Sequence, residues 1–144
     1  MAYINLNQQS KLDRLNSLNN DIGANASIVI YDGTYPITPD YSSNANTLVT
    51  FHCSTLAFGN VYVQTTTIGN VTTNTVTLTS IFFAPQYSVA NGIAGWARIY
   101  NMSNIAIVDL DVGVANSGAS IIMNSNNLIA NIPVQIISIN IIEP

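Results

Sequence analysis

The apolar positions between residues 10 and 22 recur with the period of an α-helix. Spacings of three, three and four put four side chains on one helical face: Leu12, Leu15, Leu18 and Ile22. Ser10, followed by Asp13 three residues later, has the spacing of a capping box, and Gly23 is a typical helix end. The pattern therefore predicts a helix over residues 10–22.

A helix this short is marginal in water by itself, so its apolar face must dock on something. In one interpretation the helix lies across one open end of its own domain. In the other, the arm Met1–Gln9 reaches a neighbouring subunit and the helix seals a contact between subunits. Both interpretations divide the chain into an N-terminal arm and helix, residues 1–23, and a β domain, residues 24–144.

After Gly23 the pattern changes to short runs with a period of two, separated by turn residues. The predicted strands are Ser27–Tyr31, Thr47–Cys53, Asn60–Thr67, Val71–Thr79, Gly95–Asn101, Ile105–Gly113, Ala119–Asn124 and Pro133–Ile142. Short strands at regular spacing, with no helices between them, are typical of antiparallel sandwiches. We expect an all-β fold: an antiparallel, jelly-roll-like β-sandwich of about eight strands, preceded by one short helix.

The fifth and sixth predicted strands read as a hairpin whose alternation separates two faces. One face is apolar and is assigned to the core: Ala97, Ile99, Val108, Leu110 and Val112. If Asn101 pairs with Ala106, Arg98 lies opposite Asp109 on the other face, with Asp111 diagonal to it. This predicts a structural ion pair. The two carboxylates could instead hold Ca²⁺, but only with oxygen ligands from elsewhere.

Charged residues are few and unevenly placed. They make up 7% of the chain, and none lies between Tyr41 and Ala97, whereas a soluble domain has about 25%. A neutral polar surface is easily covered by another subunit because little ionic desolvation opposes the contact. This favours a homo-oligomer, a dimer or trimer. An AT-rich genome would enrich its Asn and Ile too, but also Lys, which occurs once.

Several functional classes are disfavoured by the residues present. Three cations cannot neutralise enough phosphates for electrostatic nucleic-acid binding. The most apolar stretch, Ile132–Ile142, is too short to span a bilayer, and the first residues do not form a signal peptide.

His52 and Ser54 share a strand face at about 6.5–7 Å, too far apart for a nucleophilic dyad. The lone Cys53 is expected to be a buried thiol.

No cofactor-binding or paired-cysteine motif occurs, and the acidic residues form no glycosidase-like pair. We therefore predict a protein that is not an enzyme and uses no cofactor or metal. Aromatic residues could form a sugar-stacking platform, although in a β-sandwich they more often pack in the core or at interfaces. They are Tyr31, Tyr35, Tyr41, Tyr62, Tyr87, Trp96 and Tyr100.

Five stretches follow one another in a characteristic order. They are Leu12–Leu18, Ile28–Pro36 (Ile-Val-Ile-Tyr-Asp-Gly-Thr-Tyr-Pro), Leu48–Gly59, Gly95–Ile99 and Val108–Gly113. In this order they resemble small tailed-phage virion proteins of the capsid cement or decoration type. The chain departs from that group at Ala97, where the group has an aromatic residue, and at Leu110-Asp111, where it has Asp-Gly. Each motif is a strand or turn signature, and none carries chemistry.

The resemblance implies a virion structural protein on the capsid exterior, made in the host cytoplasm, with the major capsid protein as its partner. Aromatic residues are enriched at interface hot spots, so we expect the capsid-facing surface to use Phe82, Phe83, Tyr87 and Trp96. The alternative is a tail or fibre module that binds a receptor or glycan. That function requires exposed aromatic residues clustered with Asp or Asn in a groove.

Overall fold

The computed structural model of the protein describes residues 6–80 and 83–143. Within these residues the chain forms one helix, α1 (Gln8–Ile22), and eleven strands. The strands are β1 (Ser27–Asp32), β2 (Thr47–His52), β3 (Phe58–Ile68), β4 (Val71–Ser80), β5 (Gln86–Tyr87), β6 (Gly92–Tyr100), β7 (Ala106–Gly113), β8 (Ile121–Met123), β9 (Asn127–Leu128), β10 (Pro133–Val134) and β11 (Ile136–Glu143).

Most strands form one large sheet in the order β2-β1-β6-β7-β8-β11-β4-β3, and β9 also pairs with β6. β5 and β10 form a second, two-stranded sheet. Inward side chains from both halves of the large sheet belong to one hydrophobic core, among them Phe51, Ile99, Leu78 and Ile139. The sheet therefore encloses its own core. The prediction of an all-β, sandwich-like fold with an N-terminal helix is confirmed.

One strand pair departs from the antiparallel arrangement expected from the sequence. β7 and β8 run parallel, with Val112 opposite Ile121. The loop between them, residues 114–120, contains Asn116 and Gly118 at positive φ and returns the chain beside the end of β7. The sheet is therefore mixed. Side-chain alternation defines the faces of a strand but not the direction of its neighbour, so the pattern could not reveal this pair.

The helix packs on the core of its own chain. Leu15 and Ile22 are buried in the common core, and Asn19 Nδ2 donates to the Gly59 carbonyl over 3.1 Å. Residues 1–5 of the predicted arm lie outside the described residues. Gly23 ends the helix with φ at 63°, and its N–H donates to the Asn19 carbonyl.

The start of the helix differs from the prediction. The N-cap is Asn7, whose Oδ1 accepts the Ser10 N–H over 2.8 Å, and the helix begins at Gln8. Ser10 is therefore inside the first turn and does not cap it. The predicted capping box is wrong because Asn7 and Ser10 are both good capping residues three positions apart, and sequence alone does not choose between them.

The β6–β7 hairpin has the predicted register at its centre, where Arg98 lies opposite Asp109. A bulge between Ile99 and Tyr100 then pairs Tyr100 with Ala106, so the predicted Asn101–Ala106 pair is not formed. Asn101 belongs to the turn, where its Oδ1 accepts the N–H groups of Ser103 and Ile105 over 3.0 Å each. The bulge therefore leaves residues 101–105 between the two strands, one residue more than predicted, and Arg98 stays opposite Asp109.

Candidate functional site

Arg98 projects from the face of β6 opposite the core, yet only 2% of it is exposed. Its Nε donates to Asp109 Oδ1 over 2.6 Å and its Nη2 donates to Asp109 Oδ2 over 2.8 Å. The hydrogen bond to Asp109 raises the pKa of Arg98. Nη1 donates to the Tyr41 carbonyl over 2.7 Å. The predicted Arg98–Asp109 ion pair is confirmed, and it is bidentate and buried.

Asp111 takes no part in this pair. It lies opposite Trp96, is exposed, and accepts the Ser120 N–H over 2.9 Å. The expectation of a diagonal contact with Arg98 is wrong because Arg98 binds Asp109 through both carboxylate oxygens and Tyr41 through its remaining nitrogen. Across residues 6–80 and 83–143, no three His, Cys, Asp or Glu side chains lie close enough together to hold a metal ion.

Trp96 is fully buried inside the subunit beside Arg98. Tyr31 stacks on its ring at a centroid distance of 4.5 Å, and the Arg98 guanidinium carbon lies 5.4 Å from the Trp96 centroid. Its Nε1 donates to the Asp32 carbonyl over 3.0 Å. The expectation that Trp96 anchors a partner is therefore wrong. The ring belongs to a second, smaller packing layer on the outer face of the sheet.

The chain between β1 and β2 covers this outer layer. Asp32 ties the base of the connection, because its carboxylate accepts the Asn46 N–H over 2.9 Å and the Asn46 side-chain amide over 3.0 Å. The contact of Arg98 with Tyr41 fixes the middle. Since residues 33–46 carry no period, the pattern gave no sign that they fold over a sheet face.

A groove of about 360 Å³ remains at the edge of this covered region. Its lining includes Tyr31, Asp40, Tyr41, Tyr100 and Asn104. The Tyr31 hydroxyl lies 2.9 Å from that of Tyr100, and burial together with this contact raises the pKa of Tyr31. Tyr41 is 60% exposed. The groove thus combines a free aromatic ring with carboxylate and amide groups.

The His52 side chain contacts a residue that the sequence analysis did not single out. Its Nδ1 lies 3.0 Å from Ser27 Oγ, because β1–β2 pairing puts the two residues opposite each other. In the described part of the chain, no carboxylate hydrogen-bonds the His52 ring to orient it. Cys53 is buried as predicted, and burial raises the pKa of its thiol to about 11. A reactive thiolate is therefore disfavoured at neutral pH.

The β3–β4 hairpin extends beyond the core. Residues 64–72 are all exposed, including Ile68 and Val71 beside its two-residue turn. No residue from 58 to 80 is charged. β3 ends the order of the sheet and, among the strands described, pairs only with β4. An uncharged edge strand of 11 residues is a ready template for pairing with another chain.

The remaining aromatic residues of the predicted interface differ in how exposed they are. Phe83 is buried against Phe51 at a centroid distance of 6.3 Å, so it is a core residue and not a surface anchor. Phe82 lies outside the described residues. Tyr87 is 67% exposed. It belongs to β5, next to Ser88, which is one of the residues around a small cavity.

Five exposed apolar side chains surround this part of the molecule. They are Tyr87, Val89, Ile93, Ile129 and Ile132, here called the Ser88 surface. The two segments that carry them hydrogen-bond to each other: Tyr87 pairs with Pro133, and Gly92 pairs with Leu128. Neither segment contains a charged residue. Sequence reasoning selected Tyr87 alone, because isolated isoleucines in loops carry no period.

No protein-family model matches the chain, and no curated protein or solved structure matches it either. No helix among the described residues is long and apolar enough to cross a membrane.

Proposed function

We propose that this protein is a bacteriophage capsid cement or decoration protein, a non-enzymatic subunit that binds the major capsid shell and stabilises the head. The observation that carries the proposal is the β3–β4 hairpin, which offers an uncharged, exposed edge strand. Two-stranded hairpins are marginal in water unless something packs on them. A neighbouring subunit that pairs with β3 would supply that packing, which supports a homo-oligomer. The phage setting rests on the sequence resemblance.

The architecture suits a mechanical role. A cement subunit must link neighbouring shell proteins through many weak contacts, whose combined avidity exceeds that of any single contact. The Ser88 surface and the β3 edge are two charge-free areas on different parts of the subunit, so one subunit could engage two neighbours. Because neither area is charged, little ionic desolvation opposes either contact.

The proposal is tested by locating and counting the protein on intact virions. Mass spectrometric quantification should give hundreds of copies per particle, and a density map should place them on the outside of the head. Absence from the head, or a copy number that matches the tail, would reject the proposal.

A second candidate, a receptor- or glycan-binding module of the tail or fibre, is favoured by the groove beside Tyr41. The groove combines an exposed aromatic ring with Asp40 and Asn104, a combination suited to stacking against and hydrogen-bonding a sugar. Saturation-transfer NMR with host surface glycans tests it: Tyr41→Ala should abolish any sugar signal, whereas Tyr62→Ala, outside the groove, should leave it unchanged. Lack of a signal with the unmodified protein would discard this candidate.

A further inference from the structure

The hairpin geometry determines which backbone groups β3 directs towards the open edge of the sheet. Ile68 and Val71 flank a two-residue turn, so this pair exchanges backbone hydrogen bonds. Hydrogen-bonded pairs then alternate along the antiparallel ladder, which makes Gln64 face Thr75 of β4. The residues between them direct their N–H and C=O groups away from β4, among them Val61, Val63 and Thr67. No described strand of the same chain lies on that side of β3.

The start of the open edge is fixed by the helix. Asn19 Nδ2 donates to the Gly59 carbonyl over 3.1 Å, and a bulge interrupts the pairing between Phe58 and Val61. Regular pairing with β4 runs from Val61 to Ile68. The segment that can receive another strand is therefore residues 61–67.

The opposite edge of the large sheet, β2, is already occupied by the same chain. The Val89 N–H donates to the Leu48 carbonyl over 2.8 Å, and Phe83 packs on Phe51. A second copy that joins the sheet edge to edge therefore cannot pair its β3 with β2. It can pair only β3 with β3, and a contact between identical surfaces closes on itself around a two-fold axis.

The composition of β3 suits contact with its own copy. In a two-fold contact the same side chains meet from both sides, so a charged strand would oppose itself. No residue from 58 to 80 is charged, and β3 contains no proline. Charged residues and proline are the usual protection of an exposed edge strand. β3 thus lacks the features that prevent pairing with a second β3.

We propose that two copies of the chain pair through β3, antiparallel and around a two-fold axis, so that their large sheets become one continuous sheet. The exposed residues 64–72 then belong to a four-stranded sheet and not to an isolated hairpin, which is marginal in water. The closed contact selects the dimer over the trimer. The proposal specifies the homo-oligomer of the proposed function and rests on that function only for its biological setting.

The extent of the open edge places the axis at Gln64. Val61 then lies opposite Thr67 of the second copy, and both direct backbone groups towards each other. Moving the axis one residue towards the N-terminus would put Thr67 opposite Gly59, whose carbonyl already accepts from α1. Moving it one residue the other way would put Val61 opposite the turn residue Gly69.

The side chains agree with this register. Gln64 is exposed and faces its own copy at the axis. A side-chain amide carries both donors and an acceptor, so it is complementary to a second amide. Tyr62 lies opposite Thr66 of the second copy, and pairs of an aromatic and a β-branched residue are favourable across strands.

The test is disulfide cross-linking of the full chain in a Cys53→Ala background, after circular dichroism confirms that each variant is folded. Gln64→Cys puts two thiols in a non-hydrogen-bonded pair with Cα atoms about 4.5 Å apart, within the span of a disulfide. Thr66→Cys is the matched control on the same face of β3. Its own copy lies four residues away, about 14 Å along the strand. Under mild oxidation we expect Gln64→Cys to form covalent dimers at least about tenfold faster than Thr66→Cys, because the second separation exceeds disulfide reach.

Two further measurements complete the test. Sedimentation equilibrium of the unmodified chain should give the mass of two chains, and a mixture of Tyr62→Cys with Thr66→Cys should cross-link into a mixed dimer. A monomer or a trimer in sedimentation would overturn the proposal. So would a folded Gln64→Cys that forms no cross-link, or a Thr66→Cys that cross-links as fast.

These outcomes are separable from the proposed function, because they use the purified chain without capsids. A β3 dimer of a protein that is absent from the phage head would keep this inference and reject the proposed function. A monomer found on the head would do the reverse.

Discussion

At the scale of single residues, the buried Arg98–Asp109 pair is the most demanding electrostatic feature of the fold. Arg98→Ala would leave Asp109 unpaired with its side chain 5% exposed, and would also free the Tyr41 carbonyl. Breaking a buried ion pair from one side costs about 3–5 kcal/mol. We expect a loss of this size in the free energy of unfolding measured with urea.

The matched control is Asp111→Asn, which removes a charge from β7, the strand that carries Asp109. The asparagine keeps an oxygen that can accept the Ser120 N–H. Its effect should stay within about 0.5 kcal/mol, as for most exposed positions. Replacing both partners, Arg98→Met with Asp109→Leu, should recover much of the loss. A change below 0.5 kcal/mol in Arg98→Ala would contradict this account of the outer face.

Because Cys53 is buried, the stability of the protein should fall as the pH becomes alkaline. Burial raises the thiol pKa to about 11 in the folded chain, whereas an unfolded cysteine titrates near 8.5–9. As pH rises from about 9 to about 11, the unfolded state loses its proton first and is favoured. The contribution of Cys53 is therefore complete below pH 9, and about 2 kcal/mol of it is lost by pH 11. Cys53→Ala should show a shallower decline in unfolding free energy across that range; parallel pH profiles would argue against a buried thiol.

At the scale of elements, the start of the helix is capped by the side chain of Asn7. Asn7→Ala should lower the free energy of unfolding by about 1 kcal/mol, because it removes the acceptor for the Ser10 N–H. Ser10→Ala keeps that backbone donor and should change stability by less than about 0.5 kcal/mol. Thermal denaturation of the two variants distinguishes the observed cap from the predicted one. The reverse order would restore Ser10 as the cap.

The β3 edge should be the element through which copies of the chain associate. Lysine on an edge strand opposes pairing with a further strand, so Thr66→Lys should weaken self-association at least about tenfold in sedimentation experiments. Asn16→Lys, at an exposed position of α1, adds the same charge away from the edge and serves as control. Equal association of the two variants would remove β3 from the oligomer interface.

At the scale of the whole molecule, the sequence was informative where a long element has one dominant period. β1, β2, β6 and β7 are long, alternate clearly and were found with small errors at their ends. β5, β9 and β10 have two residues each and show no period. The Ser88 surface depends on contacts between segments about 40 positions apart, which no local pattern encodes. The same limit made Trp96 look available, because its neighbours Tyr31 and Tyr35 reach its ring only in the folded chain.

The burial of Arg98 also affects the rate at which this protein associates with its partners. The chain has three cationic residues, so with Arg98 enclosed the other two, Lys11 and Arg14, both belong to α1. The β3 edge and the Ser88 surface lack charges that could steer a partner by long-range attraction. Unsteered protein association proceeds at about 10⁵–10⁶ M⁻¹s⁻¹. Encounter rates at these two areas should accordingly change little between low and high salt, and differences in affinity should arise in dissociation, from how long a contact lasts once formed.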